Sequence, residues 1–74
     1  MKHMTLLDVL KVITPATRVR LLERPGDPGI RCLRYSLYDE SGLVDPIVSR
    51  TVLEKDVVLM QIDSAGSLLI RVRK

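Results

Sequence analysis

Residues 5–22 of the chain read TLLDVLKVITPATRVRLL, and this stretch decides the fold because its hydrophobic period changes from helical to extended. Thr5 and Asp8 have the spacing of a helix-capping pair, and the apolar residues after Thr5 recur at helical spacing. Pro15 ends the helix, since the residue before a proline is disfavoured in the α region. The pattern predicts a helix over residues 5–13.

The next residues alternate with a period of two. Val19 and Leu21 alternate with Arg18 and Arg20, which is typical of a half-buried strand with arginines toward solvent. We therefore expect a strand over residues 17–23.

The remaining chain contains further extended segments separated by turn residues. Strands are predicted over residues 30–38, 57–62 and 67–73, with a short one over 48–53 inside a loop that covers 43–56. Turns are predicted at residues 25–29, 39–42 and 63–66. The last two strands form a β-hairpin with a four-residue connection. Its first arm is apolar on both faces, and the pattern leaves open which face is buried.

The sequence therefore predicts a single small α+β domain over residues 1–74. We expect a short N-terminal helix packed on a small antiparallel sheet of about four strands that ends in a C-terminal β-hairpin. Residues 1–4, with the sequence MKHM, precede the first patterned residue and are interpreted as a tail or vector remnant. The core is expected to consist of Leu6, Val9, Leu10, Ile13, Val19, Leu21, Leu33, Leu37, Leu59, Leu68, Ile70 and Val72, with Tyr35 as its support.

Composition argues against an enzyme, a metal site or a cofactor site. Cys32 is the one cysteine and His3 the one histidine, so neither a disulfide nor a Cys/His metal site is expected. Acid–base catalysis needs a base within reach of a reacting group, and the two acidic pairs, residues 39–40 and 54–56, are typical of turns. The four glycines stand singly, which excludes a glycine-rich phosphate loop. We expect no catalytic residues, no metal and no cofactor.

No stretch has the length of a membrane span, and the N-terminus lacks the pattern of a signal peptide. We therefore expect a cytoplasmic protein.

A homodimer is expected because a domain of this size has a thin stability margin and an aliphatic composition, with hydrophobic residues at 46% and aromatic residues at 3%. The helix and the strand over 57–62 both carry apolar residues beyond one face. The predicted dimer contacts are Leu7, Val12, Val58, Met60 and Leu69.

Arginine is the strongest signal outside the core, since eight of the twelve basic residues are Arg. Guanidinium groups bind carboxylates and phosphates with two parallel hydrogen bonds, so a sheet face with several arginines suits an acidic protein surface or a nucleic acid. The same pattern also suits a solvated face whose charges discourage aggregation. Nine acidic residues reduce the net charge to +3, and the stacking aromatics of single-strand binders are scarce.

The opening residues 4–13, the strand over 17–23 and the closing residues 68–73 together resemble short orphan accessory proteins of phages and mobile elements in Gram-positive bacteria. The resemblance spans most of the chain and rests on the order of helix, strands and terminal hairpin. It implies a non-enzymatic accessory protein, in a class that includes inhibitors of host defence such as anti-CRISPR proteins.

The expected function is therefore binding to a protein partner, with small basic nucleic-acid binding or regulation through an arginine-rich sheet face as the alternative. Mimicry of nucleic acid is disfavoured because the chain is net basic and its acids are scattered. Arg and Tyr are frequent energetic anchors of interfaces. The predicted partner-binding residues are Arg34, Tyr38, Arg71 and Arg73, the first two on one face of the strand over 30–38.

Overall fold

The computed structural model describes residues 4–23, 26 and 28–73. The expectations for residues 1–3 and for part of the turn at 25–29 lie outside the described residues. The elements in chain order are α1 (Leu6–Val12), β1 (Arg18–Leu22), β2 (Ile30–Leu33), α2 (Arg34–Leu37), α3 (Arg50–Leu53), β3 (Val57–Ile62) and β4 (Leu68–Val72).

The N-terminal helix forms as its capping pair predicts. The Thr5 hydroxyl accepts a hydrogen bond from the Asp8 backbone N–H at 3.2 Å, and the Asp8 carboxylate accepts one from the Thr5 N–H at 3.1 Å. Both bonds satisfy N–H groups that lack a partner at the start of a helix. Met4 also takes part in the fold, since its carbonyl accepts from the Val57 N–H at 2.8 Å.

The predicted fold class is confirmed, with one difference in the sheet. Its strand order is β2-β1-β4-β3. The pairs β1–β2 and β3–β4 are antiparallel as expected, whereas β1 and β4 pair in parallel, so the sheet is mixed. The C-terminal hairpin is present, and a bulge between Val57 and Leu59 shifts the register of its first arm. A bulge interrupts the alternation of side chains along a strand, which explains why the apolar pattern did not identify the buried face of that arm.

The predicted strand over residues 30–38 is wrong in its second half. After Leu33 the chain turns into α2, because the N–H groups of Arg34 and Tyr35 donate to the carbonyls of Thr17 and Pro15 at 2.9 and 3.2 Å. These acceptors belong to the turn before β1. Tyr35 is consequently 39% exposed and does not support the core.

The short strand predicted over residues 48–53 is also wrong, since this segment forms α3. Ser49 caps it by accepting a hydrogen bond from the Val52 N–H at 3.4 Å, and the Leu53 N–H donates to the Ser49 carbonyl at 3.3 Å. A serine cap satisfies the first helical N–H groups in the same way as Thr5. Val48 and Leu53 are buried by this turn.

The core lies between one face of the sheet and the three helices. Eight of the twelve predicted core residues are buried: Leu6, Val9, Leu10, Val19, Leu21, Leu37, Ile70 and Val72. The other four, Ile13, Leu33, Leu59 and Leu68, are only partly buried. Leu33 and Leu59 pair with Arg18 and Arg71 and therefore lie on the opposite face of the sheet.

Candidate functional site

The face of the sheet opposite the helices is the most distinctive surface of the described chain. Residues that pair directly across strands point to the same face. Arg20 pairs with Arg31 on β2 and with Leu69 on β4, and Leu69 pairs in turn with Gln61 on β3. Alternation along each strand then gives the whole set, here called the arginine–leucine face: Arg18, Arg20, Leu22, Arg31, Leu33, Leu59, Gln61, Leu69 and Arg71.

The charge of this face is entirely positive. Four of its nine residues are arginines, and no acidic residue occupies a strand position on it. In the described part of the chain, the basic members of ion pairs are Arg34, Arg50, Lys55 and Arg73, none of which belongs to the face. The face therefore presents four guanidinium groups without an acidic partner among the described residues.

Pro28 and Gly29, just before β2, lie against one side of this face. The Arg20 Nε donates to the Pro28 carbonyl at 2.9 Å. Gly29 has a φ of +79°, and a Cβ there would meet the Leu22 side chain and lie 2.8 Å from the Leu21 carbonyl oxygen. Glycine is required at this close approach. The contact helps to bury Leu22, although the three helices of the described chain pack on the other side of the sheet.

Arg34, predicted as an exposed anchor for a partner, is a buried structural residue. Its side chain is 2% exposed. The guanidinium donates to the Ile13 carbonyl from Nε at 3.3 Å, to the Tyr38 carbonyl from Nη1 at 2.8 Å and to Glu40 from Nη2 at 3.0 Å. It ties the end of α1 to α2 and to the following loop, and it is not available to a partner.

The other three predicted partner-binding residues do not form one site. Tyr38 lies beside Arg34, with 5.7 Å between the guanidinium carbon and the ring centre, and packs partly against the core. Arg71 lies on the arginine–leucine face, across the sheet from Tyr38. Arg73 is exposed, with its Nε 4.0 Å from an Asp56 carboxylate oxygen. Only Arg71 belongs to the surface described above.

The five predicted dimer contacts are similarly divided. Leu7 packs partly against the core, and Val12 is 76% exposed on α1. Val58 and Met60 are 41% and 48% exposed on the edge strand β3. Leu69 is buried on the arginine–leucine face. Leu7 and Val12 thus share α1, Val58 and Met60 share β3, and Leu69 lies on β4.

A cleft of about 460 Å³ lies on the helix side and contains several charged groups. Most of these already have partners. Arg50 lies 3.6 Å from Glu54. The Ser41 hydroxyl, helped by the backbone N–H groups of Ser41 and Val44, holds the pKa of Asp39 below its usual range. A carboxylate held in this way is a weak base and serves to close the turn.

Cys32 and the remaining acidic groups offer little reactive chemistry. Burial raises the pKa of the Cys32 thiol, which lowers the fraction of nucleophilic thiolate. Within residues 4–23, 26 and 28–73, no group of three or more His, Cys, Asp or Glu residues is placed to hold a metal ion. Over the same residues, no helix has the length and apolar character that a bilayer crossing demands.

The predicted partner-binding residues did not include Arg18, Arg20 and Arg31, the arginines that β1 and β2 contribute to this face. Alternation already placed Arg18 and Arg20 on the outer face of a strand. The pairing of Arg20 with Arg31 and with the β4 residue Leu69 depends on register, which periodicity does not contain.

Comparison with protein-family profiles, curated protein sequences and solved structures finds no match for this chain.

Proposed function

We propose that this protein is a non-enzymatic binding protein that docks its arginine–leucine face onto an acidic surface of a protein partner. The observation that carries the proposal is the segregation of charge: four arginines share one sheet face that has no acidic residue. Arginine combines bidentate binding of carboxylates with weak hydration, and it is enriched at protein interfaces. The partly buried Leu33 and Leu59 add apolar area between the charges.

The shape and composition of the face favour a protein over a nucleic acid. With strands about 4.8 Å apart, four strands span about 14 Å between their outer members. That width exceeds the DNA major groove of about 12 Å, which admits a helix or a two-stranded ribbon. Single strands are bound by stacking on aromatic rings. Both tyrosines lie outside the nine positions of the face.

Nucleic-acid binding through phosphates is the second candidate, favoured by the same four arginines, which have no acidic partner among the described residues. Such binding has a separate signature, because release of condensed counterions makes affinity fall steeply with salt.

The resemblance to accessory proteins of phages and mobile elements supplies the biological setting of this proposal. In that setting the protein acts in the cytoplasm on a larger complex, such as a host-defence complex, as an anti-CRISPR-like inhibitor. The absence of catalysis is supported by the contacts of the carboxylates, since Asp39, Glu40 and Glu54 each have partners.

We also propose a homodimer that forms through β3. This strand lies at the edge of the sheet, and within the described residues its outer side receives one backbone contact, from the Met4 carbonyl to Val57. Charged residues and prolines usually protect an open edge from pairing with another strand, and β3 contains neither. Antiparallel pairing of β3 with a second copy about a two-fold axis gives a self-complementary interface.

The docking proposal is tested by binding to poly-L-glutamate at low salt, with two matched double variants. Arg31→Gln with Arg71→Gln removes two charges from the face, and Lys11→Gln with Arg50→Gln removes two from the helix side. We expect the first pair to weaken binding at least about tenfold, because each lost ionic contact typically contributes about 1 kcal/mol, and the second to change it little. Equal losses would indicate general attraction by net charge and contradict the proposal. Tighter binding to duplex DNA, with a steep salt dependence, would favour the second candidate.

A further inference from the structure

One corner of the arginine–leucine face carries three of its four arginines. Arg20 lies directly opposite Arg31 in the β1–β2 ladder, and Arg18 occupies the diagonal position next to Arg31. Like charges directly opposite each other destabilise a sheet. None of the three takes part in an ion pair with a described residue. The fold therefore keeps these cations together at an energetic cost.

Within the described part of the chain, the three guanidinium groups are also available to an external acceptor. The Nε of Arg20 donates to the Pro28 carbonyl at 2.9 Å, which orients the group, and no described residue bonds to its two Nη atoms. Arg18 and Arg31 are exposed. An arginine that is already oriented loses less entropy when it forms a new hydrogen bond.

A groove of about 380 Å³ adjoins this corner. Arg18 and Arg31 line it together with Leu33 and with Ala65 and Ser67 of the hairpin connection. It thus combines cationic groups and a hydroxyl with an apolar wall. A glutamate side chain has the matching chemistry, with methylene groups that pack on leucine and a planar carboxylate that fits a guanidinium fork.

We propose that this corner is a subsite for two neighbouring carboxylates on an acidic segment of the protein partner, bound by Arg18 and Arg31 with Arg20 as a fixed third donor. The inference rests on the proposed docking function and specifies where the partner's acidic side chains enter. Arg71, on the far side of β1, lies outside the subsite and contributes general attraction.

The test measures the affinity of hexaglutamate for single variants at low salt by calorimetry. Arg18→Gln and Arg31→Gln should each weaken binding about tenfold, as expected for loss of a charge-assisted bidentate contact. Arg71→Gln, on the same face but outside the subsite, should weaken binding by a smaller factor, and Lys11→Gln, the matched control on the helix side, should change it less than about twofold. Arg31→Lys should also weaken binding, since lysine keeps the charge and loses the planar fork.

Melting measurements separate these effects from misfolding. Arg31→Gln relieves the opposed charges, so its melting temperature should equal or exceed that of the parent at low salt. A lower melting temperature would show that Arg31 supports the fold and would overturn its assignment as a binding residue.

Further outcomes distinguish failure of the subsite from failure of the proposed function. An equal loss at Arg71, or parent-like binding by Arg31→Lys, would overturn the subsite and leave the docking face standing. The subsite would also be overturned, and the docking face left standing, if the parent bound poly-L-glutamate through the arginine–leucine face but did not bind hexaglutamate. Failure of the parent to bind either acidic probe would overturn both. Tighter binding of duplex DNA through the same arginines would overturn the carboxylate assignment in favour of phosphate.

Discussion

At the scale of single residues, two arginines of the same predicted strand have opposite roles. Arg31 and Arg34 are three positions apart, and the sequence places both in an extended segment. Arg31 is exposed on the sheet, whereas Arg34 is 2% exposed and donates three hydrogen bonds inside the fold. Burial of arginine is rare and depends on such a set of acceptors. Only the structure reveals the difference, since the acceptors come from positions 13, 38 and 40.

Replacement of Arg34 should therefore destabilise the protein strongly. Arg34→Ala removes a charged donor to two carbonyls and Glu40, and we expect a loss of about 3 kcal/mol in the free energy of unfolding. The control is Arg50→Ala, because the Arg50 side chain is 90% exposed and its ion pair is with Glu54, the C-cap of the same short helix. That change should cost about 0.5 kcal/mol or less. Urea unfolding of both variants measures this, and similar losses would contradict the assigned role of Arg34.

At the scale of secondary-structure elements, the sequence correctly predicted those elements whose ends are marked by a local signal. The capping pair of α1 and the turn of the C-terminal hairpin are local, and both elements form as expected. The elements α2 and α3 were missed because each is a single turn with no room for a helical period. The parallel pairing of β1 with β4 joins distant segments, and no local pattern encodes it.

The open edge of β3 is predicted to pair with a second copy of the chain. We expect the parent to sediment as a dimer at micromolar concentration, and Met60→Lys to sediment as a monomer, because an edge lysine blocks strand pairing. Val12→Lys is the matched control, since Val12 is the more exposed of the two at 76% and lies on α1. It should leave the dimer intact. A parent that sediments at the monomer mass of 8.4 kDa would rule out this dimer.

At the scale of the whole molecule, the mixed sheet separates two kinds of surface. Its helix side holds the core and the ion pairs of Arg34 and Arg50, and its open side holds the four arginines that pair with no acidic residue in the described ranges. A net charge of +3 therefore understates the local positive charge of the open side. The presence of arginines on strands was predictable from the sequence. Their concentration on one face, whose strand positions include no acidic residue, follows from the strand order and register.

The most direct test of the docking face is a map of amide and arginine Nε–H chemical-shift changes when poly-L-glutamate is added to the ¹⁵N-labelled protein at low salt. The largest changes should fall on β1, β2 and β4, at Arg18, Arg31 and Arg71, and should diminish as salt screens the charges. Residues around the helix-side cleft, such as Lys11 and Arg50, should change little. Changes centred on that cleft, or no changes on the arginine–leucine face at saturation, would contradict the claim that this face binds the partner.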